Sequence, residues 1–391
     1  MTTPRITGTD FGGADTAPLL LLGPSLGTSA ATLWSDAARR LAGPLHVVAW
    51  DLPGHGRGEP AEPFTIAELA AGVLAFADEF GSGPFHYAGD SVGGCVGLQL
   101  LLDAPTRVQT ATVLCTGAAI GTPQSWHDRA ATVRAQGTRS MLDGAPGRWF
   151  APGFPATEPG TSAALLDALR HTDAESYAQV CGALAEFDVT QRLPEIAAPL
   201  LAIAGSADVP TPPESLQRIV SGVQDGTLAI LDGVGHLAPA EAPDRVAGLI
   251  AQHVGVTARP VTAADIQTAG MAVRREVLGA AHVDRAVAAT TDFTADFQQM
   301  ITQYAWGSIW TRPGLDRRSR SMITLTALVA RGHHDEFAMH IRAARRNGLT
   351  NEEIKELLLQ TAIYCGVPDA NSAFRIAAQV LSEIDEEGGP A

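Results

Sequence analysis

The sequence predicts two unlike domains in one chain: an α/β domain built on a mostly parallel sheet with a helical cap, followed by an all-α domain. Three observations predict this. Apolar runs of strand length alternate with helical periodicity through about residue 255, the pattern of βαβ units. The strand signal then stops, beyond a small-residue stretch around Pro260 that reads as a linker. Finally, a length of 391 residues exceeds one ordinary core. The first domain is therefore expected at 1–255, with its cap at about 121–185, the linker at 256–263 and the second domain at 264–391.

Taken in order, Pro18–Leu22 reads as the first core strand, ending in Gly23-Pro24-Ser25, and His46–Asp51 as the next. Ile66–Phe80 has helical periodicity, Phe85–Asp90 reads as a strand, Val92–Leu102 as a buried helix and Ala111–Cys115 as a further strand. From Gly121 to Ala185 only helix-like segments remain, broken at Gly144-Ala145-Pro146-Gly147 and at Ala151–Pro155. Strands resume at Pro199–Gly205 and Thr227–Leu231. The second domain reads as helices at Ala264–Leu278, Ala281–Ala289, Thr291–Gly307, Arg317–Arg331, Asp335–Asn347, Thr350–Cys365 and Asn371–Ile384. Thr350-Asn351-Glu352-Glu353 is a capping box, and Gly348 suits the end of the helix before it.

Composition narrows the function classes. Hydrophobic residues form 46% of the chain and charged residues 18%, the balance of a soluble globular enzyme. A net charge of −15 without a basic stripe argues against nucleic acid and anionic membranes as partners. Cys95, Cys115, Cys181 and Cys365 are far apart and lack metal-ligand spacing, so free thiols in a reducing compartment, the cytoplasm, are expected. Met1–Arg5 lacks a signal-peptide pattern, and no apolar run reaches the roughly 20 residues of a spanning helix.

Gly89-Asp90-Ser91-Val92-Gly93 lies between a predicted strand and a predicted helix, where a Gly-x-Ser-x-Gly turn presents a serine hydroxyl at the edge of a sheet. Asp208 and His236 follow the next strand ends, where open α/β sheets build their sites. Serine needs a base at neutral pH, so His236 is expected to take and return its proton while Asp208 orients the imidazole. Backbone N–H groups of Leu26 and Val92 are the expected oxyanion donors. In the cap, Trp126-His127-Asp128-Arg129 places an aromatic ring and a cation on one helix. Arg129 reads either as a grip on a substrate carboxylate or as a solvated helix charge.

These motifs, in the order Ser91, Asp208, His236, resemble the α/β-hydrolase superfamily across 1–255. Gly23–Thr28 with Trp34, Asp51–Gly56, Gly89–Gly94 and Asp208–Pro213 are similar to those of 3-oxoadipate enol-lactonases, and Pro53 stands where relatives commonly carry arginine. The resemblance implies hydrolysis of a small anionic lactone.

In the second domain, Glu336 and His340 fall one helical turn apart, and His333 can extend their face. Spacing alone leaves three readings: an acid–base pair, an ordinary surface pair, or a metal site of His333, Glu336 and His340, which lacks the His-Glu-x-x-His pattern. Arg275–Gly279, Tyr304–Trp310, Arg312–Leu315, Arg318–Ser321, Glu336 with His340, and Tyr364–Pro368 closely resemble 4-carboxymuconolactone decarboxylases over about 262–385. AhpD-like thiol proteins share that superfamily, but they use a CxxC pair and this segment has the single Cys365. The resemblance implies a decarboxylation that needs neither cofactor nor metal, because the conjugated lactone is its own electron sink. His340 is then the expected proton donor, Glu336 orients it, and Arg320 holds a substrate carboxylate.

The decarboxylase product is the lactonase substrate, so the resemblances together imply a bifunctional enzyme turning 4-carboxymuconolactone into 3-oxoadipate in the protocatechuate branch of the beta-ketoadipate pathway. Family likeness also implies a homo-oligomer formed through the C-terminal domain. The alternative is an esterase or perhydrolase carrying a non-catalytic helical oligomerisation domain.

Overall fold

The computed structural model of the chain describes residues 3–258, 262–312 and 315–386. Its contacts divide it after Pro260 into two compact units. Residues 259–261 of the expected linker lie outside the described residues, as do Pro313 and Gly314 of the quoted motif, and Thr262 already caps the next helix.

Seven strands form the sheet of the first unit: β1 (Thr7–Gly12), β2 (Leu19–Gly23), β3 (His46–Asp51), β4 (Phe85–Asp90), β5 (Val108–Leu114), β6 (Leu200–Gly205) and β7 (Gly226–Leu231). Their order is β1-β3-β2-β4-β5-β6-β7. Only β1 runs antiparallel, and its pairing with β3 slips between Asp10 and Gly12. β1 lies outside the predicted strands because its sequence is short, polar and half-exposed at a sheet edge. β4 sits between β2 and β5 with every residue buried, which sets the end of β4 deep in the unit.

A helix not anticipated above, Ala30–Leu41, follows β2. It buries Ala30, Leu33, Trp34, Ala37, Ala38 and Leu41, the i, i+3, i+4, i+7 stripe of a core-facing helix, and starts from a Ser29/Thr32 capping box. The cap lies between β5 and β6 as helices Pro123–Gln136, Ala145–Trp149, Phe154–Thr157, Pro159–His171 and Ala174–Glu186 with two 3₁₀ turns. The Gly-Pro stretches read as breaks are also starts, since Pro146 and Pro155 occupy first-turn positions where a missing N–H costs nothing.

In the second unit, Ala263–Leu278, Ala280–Ala288, Arg317–Arg331, His334–Arg346, Asn351–Cys365 and Val367–Glu386 are α-helices. The last begins at Val367, earlier than Asn371. The single helix expected at Thr291–Gly307 is instead an α-helix, Ala295–Ile301, continued by a π-helix, Thr302–Trp310. Close backbone packing accompanies the change: a Cβ on Gly270 would lie 2.3 Å from Thr302 O, and one on Gly307 2.3 Å from Ile266 O. Val277, Leu278, Val283, Trp306 and Ala343 form a small core around this contact, and Leu325, Phe337, Ile341, Leu358 and Ala377 belong to a larger one. Among the described residues no helix is long and apolar enough to cross a membrane. Cys95, Cys115 and Cys181 are buried free thiols and Cys365 is half-buried.

Candidate active site

β4 ends at Asp90 and the next helix starts at Val92, so Ser91 forms the turn between them. Its backbone takes φ 54° and ψ −114°, a conformation that costs energy for any residue with a Cβ. Neighbours hold it there. Ser91 N–H donates to Leu114 O at 2.9 Å, Thr116 Oγ1 donates to Ser91 O at 2.7 Å, and the Tyr87 hydroxyl donates to Gly93 O at 2.8 Å. A Cβ on Gly89 would meet Gly93 O at 2.2 Å, and one on Gly93 would meet Gly23 C at 2.7 Å. The two glycines of the motif are therefore required by close approach.

The loops after β6 and β7 bring Asp208 and His236 to this serine. His236 Nε2 is 3.0 Å from Ser91 Oγ, and its Nδ1 lies 3.0 and 3.1 Å from the two Asp208 carboxylate oxygens. All three residues are buried. Burial alone would raise the Asp208 carboxyl, but the nearby His236 and hydrogen bonds from His236 and Thr211 outweigh it and hold the group below its usual range. Thr211 N–H and Oγ1 donate to Asp208 at 3.0 and 2.8 Å. The sequence reading passed over Thr211, whose signal is a hydroxyl residue three positions after an aspartate in a turn.

Other contributors were invisible in sequence. Trp149 O of the cap accepts from His236 N–H at 2.8 Å, and Glu241 accepts from Ala151 N–H and Gly235 N–H at 3.1 and 3.2 Å, bracing the histidine loop. Burial, with Asp208 and Glu241 nearby, pushes the Asp90 carboxyl well above its ordinary range.

A cavity of about 170 Å³ opens on the relay, lined by Ser91, His236 and Leu26 and by Trp126, Arg129, Arg148, Trp149 and Tyr177 of the cap. Val92 is the first residue of its helix, where the N–H has no intrahelical acceptor. Trp126 Nε1 donates to Ile120 O at 2.5 Å, and the Arg129 guanidinium lies 4.7 Å from the Trp126 ring centroid. Such an arrangement can move a proton from Ser91 to His236 and deliver the alkoxide to a small carbonyl compound.

In the helical unit, Glu336 and His340 share the helix His334–Arg346, with Glu336 exposed and His340 half-buried. His333 is exposed and precedes the helix at its N-cap position. Among the described residues no three His, Cys, Asp or Glu are grouped to hold a metal ion. Burial and nearby His282 lower the His340 imidazole to about 4, against the opposing pull of Glu336. Arg320 is turned to backbone: its Nε donates to Leu315 O at 3.1 Å and its Nη2 to Arg312 O at 2.8 Å. Burial and nearby Arg312 lower the Arg320 guanidinium against the opposing pull of Asp316.

Residues 19–249 match the alpha/beta hydrolase family and residues 295–379 the carboxymuconolactone decarboxylase family. The first unit is similar to 3-oxoadipate enol-lactonase 2 of Acinetobacter baylyi, 35% identical over 234 residues that make up 60% of this chain and 86% of the relative. The second is similar to 4-carboxymuconolactone decarboxylase of Acinetobacter baylyi, 45% identical over 115 residues that make up 29% of this chain and 86% of the relative. Among solved structures, the enol-lactonase from Burkholderia xenovorans superposes with a TM-score of 0.59 at 29% identity, over 64% of this chain and 95% of that one.

Proposed function

We propose that this chain, which belongs to the alpha/beta hydrolase family by its first unit and to the carboxymuconolactone decarboxylase family by its second, converts 4-carboxymuconolactone to 3-oxoadipate in two steps. The observation that carries the proposal is the pairing itself: one chain joins relatives of two enzymes, and the product of the decarboxylase is the substrate of the lactonase. Geometry adds that the serine relay opens on a cavity of about 170 Å³ under the cap, with Arg129 and Arg148 in its wall to suit an anionic lactone.

In the first step the bond to the leaving carboxylate breaks, carbon dioxide departs, and the electron pair runs through the alkene into the lactone carbonyl as a dienolate. Protonation at the distant carbon gives the enol-lactone. His340 delivers that proton and Glu336 orients it. Because burial holds the free imidazole near about 4, its charge is restored by the negative substrate docking beside it. Arg320 braces the loop it bonds to and holds substrate only if one of its nitrogens turns inward.

The second step belongs to the first unit. Ser91 Oγ attacks the lactone carbonyl as His236 Nε2 takes its proton, and the oxyanion faces the N–H groups of Leu26 and Val92. Collapse breaks the ring C–O bond, the enol oxygen receives the proton from His236, and the enol becomes the ketone. Water, activated by His236, then releases 3-oxoadipate from Ser91. No step calls for a metal or organic cofactor.

We extend the proposal to assembly and place. Among the described residues, apart from Val209 and Ile230, the exposed large apolar side chains, including Phe293, Tyr304, Ile363 and Tyr364, lie in the helical unit and support self-association there. Free thiols suit a reducing cytoplasm. Supplying 4-carboxymuconolactone tests the whole reading. The protein should release carbon dioxide and 3-oxoadipate, and Ser91→Ala should release carbon dioxide and accumulate enol-lactone. If no carbon dioxide forms, the helical unit is an assembly module on an esterase and the proposal fails.

A further inference from the structure

The cavity above Ser91 holds two cations. Arg129 comes from the cap helix Pro123–Gln136 and Arg148 from the short helix Ala145–Trp149, and both line the space that Ser91 and His236 line. Sequence reading singled out Arg129 alone, because Arg148 lies in a Gly/Pro-rich stretch with no motif around it.

What these two arginines lack is informative. Several other arginines of this acidic unit pair with carboxylates: Arg134 of the same cap helix takes Glu175 in a two-pronged contact at 2.8 Å, Arg192 takes Glu195 at 2.9 Å, and Arg107 takes Asp78 at 2.7 Å. Among the described residues neither Arg129 nor Arg148 has a carboxylate partner. Arg129 has the Trp126 face at 4.7 Å, and Arg148 Nη2 has Met141 O at 3.3 Å. Both are half-buried, and each repels the other. Like charges drawn together in a partly dry cavity cost free energy that a bound anion would recover, and guanidinium forks match a carboxylate. Burial first, then Arg129, holds the Arg148 guanidinium below its usual range, as expected of a cation awaiting a counter-charge. Tyr177 closes the same wall with its ring stacked 6.2 Å from His55.

We propose that Arg148, together with Arg129, forms a carboxylate subsite in this cavity and makes the hydrolase choose short acyl groups ending in a free carboxylate over neutral ones. This rests on the serine-hydrolase half of the function proposed above and deepens it: the chemistry recognised is a small monoanion whose carboxylate lies beyond the reacting carbonyl.

Two aryl esters with one leaving group test the subsite, 4-nitrophenyl hemisuccinate, which carries the anion, and 4-nitrophenyl butyrate, which does not. The readout is the ratio of kcat/KM for hemisuccinate to that for butyrate. Arg148→Met should lower the ratio about 10- to 100-fold, mainly through KM for hemisuccinate. Arg148→Lys should recover part of it, and added salt should erode the wild-type ratio. If Arg148→Met leaves the ratio unchanged, whether both rates fall together or neither falls, Arg148 only props the Met141 turn and the proposal is overturned. Should Arg148→Met unfold, as melting would reveal, Arg148→Gln and the salt titration give the same decision. Because these esters need only a working Ser91, a preserved ratio effect without lactone turnover would sink the pathway reading and keep the subsite.

Discussion

The α/β unit encloses its reactive groups, whereas the helical unit leaves much of its own chemistry open. Ser91, Asp208 and His236 are buried, bonded in line and braced by Thr211, Glu241 and the Trp149 carbonyl. In the helical unit Glu336 is exposed, His340 is half-buried, and Phe293 is 96% and Tyr364 79% exposed. A serine hydrolase must preorganise an oxyanion site within one fold, and a parallel sheet does so by ending several strands at one place. A small helical unit has fewer layers with which to bury a site, and the second copy proposed above would cover those faces.

The comparison can be broken at several points. Removing the nucleophile acts hardest: Ser91→Ala should cut lactone hydrolysis by about 10⁴- to 10⁶-fold while carbon dioxide release continues, read by following both products from one sample. Asp208→Asn should cost about 10⁴-fold in kcat with the fold intact, because the imidazole loses its tautomer control. His340→Gln should slow carbon dioxide release about 10²- to 10⁴-fold and spare enol-lactone hydrolysis, so a near-normal rate of decarboxylation would remove His340 from the reaction. Ile363→Asp with Tyr364→Ser should lower the assembly state in sedimentation measurements; an unchanged size would mean these side chains face no second copy.

The smallest effect is on stability. His55 in the first unit and His340 in the second are both lowered by burial from 6.5 to about 4. A depressed folded value means that between those limits the unfolded chain gains a proton the folded chain refuses. Stability is therefore full above about pH 6.5 and falls as pH drops toward about 4, by ~3 kcal/mol for each histidine. His340→Gln should flatten its share of that slope in acid-titrated unfolding, and an unchanged slope would show that His340 is already solvated.

How much of this was legible in sequence depended on how local the cause was. The elbow, its two glycines and the order of Asp208 and His236 were readable because each follows a strand end and a short-range steric need. Strand β1 was not, since its register comes from β3. The helix Ala30–Leu41 carried its full apolar stripe and capping box, and the reading passed over both. Arg148, Tyr177 and Glu241 reach the site only through packing of the cap and the histidine loop, which no local pattern encodes. For Arg320 the likeness suggests a ligand-facing cation, and the fold adds two bonds to backbone carbonyls that no local pattern encodes.

The π-helix Thr302–Trp310 carries a further consequence, for how this unit tolerates changes in chain length. Its wider turn accommodates an extra residue, and Ser308 Oγ already reaches back five positions to Gln303 O at 2.8 Å. Removing one residue within it would let ordinary i→i−4 bonding return and rotate everything beyond it about the helix axis. A deletion between Trp306 and Trp310, whose rings lie 5.1 Å apart, would turn the second away from the first. For this segment the informative experiment is a deletion, because the position of its aromatic pair is stored in a residue count and not in any one side chain.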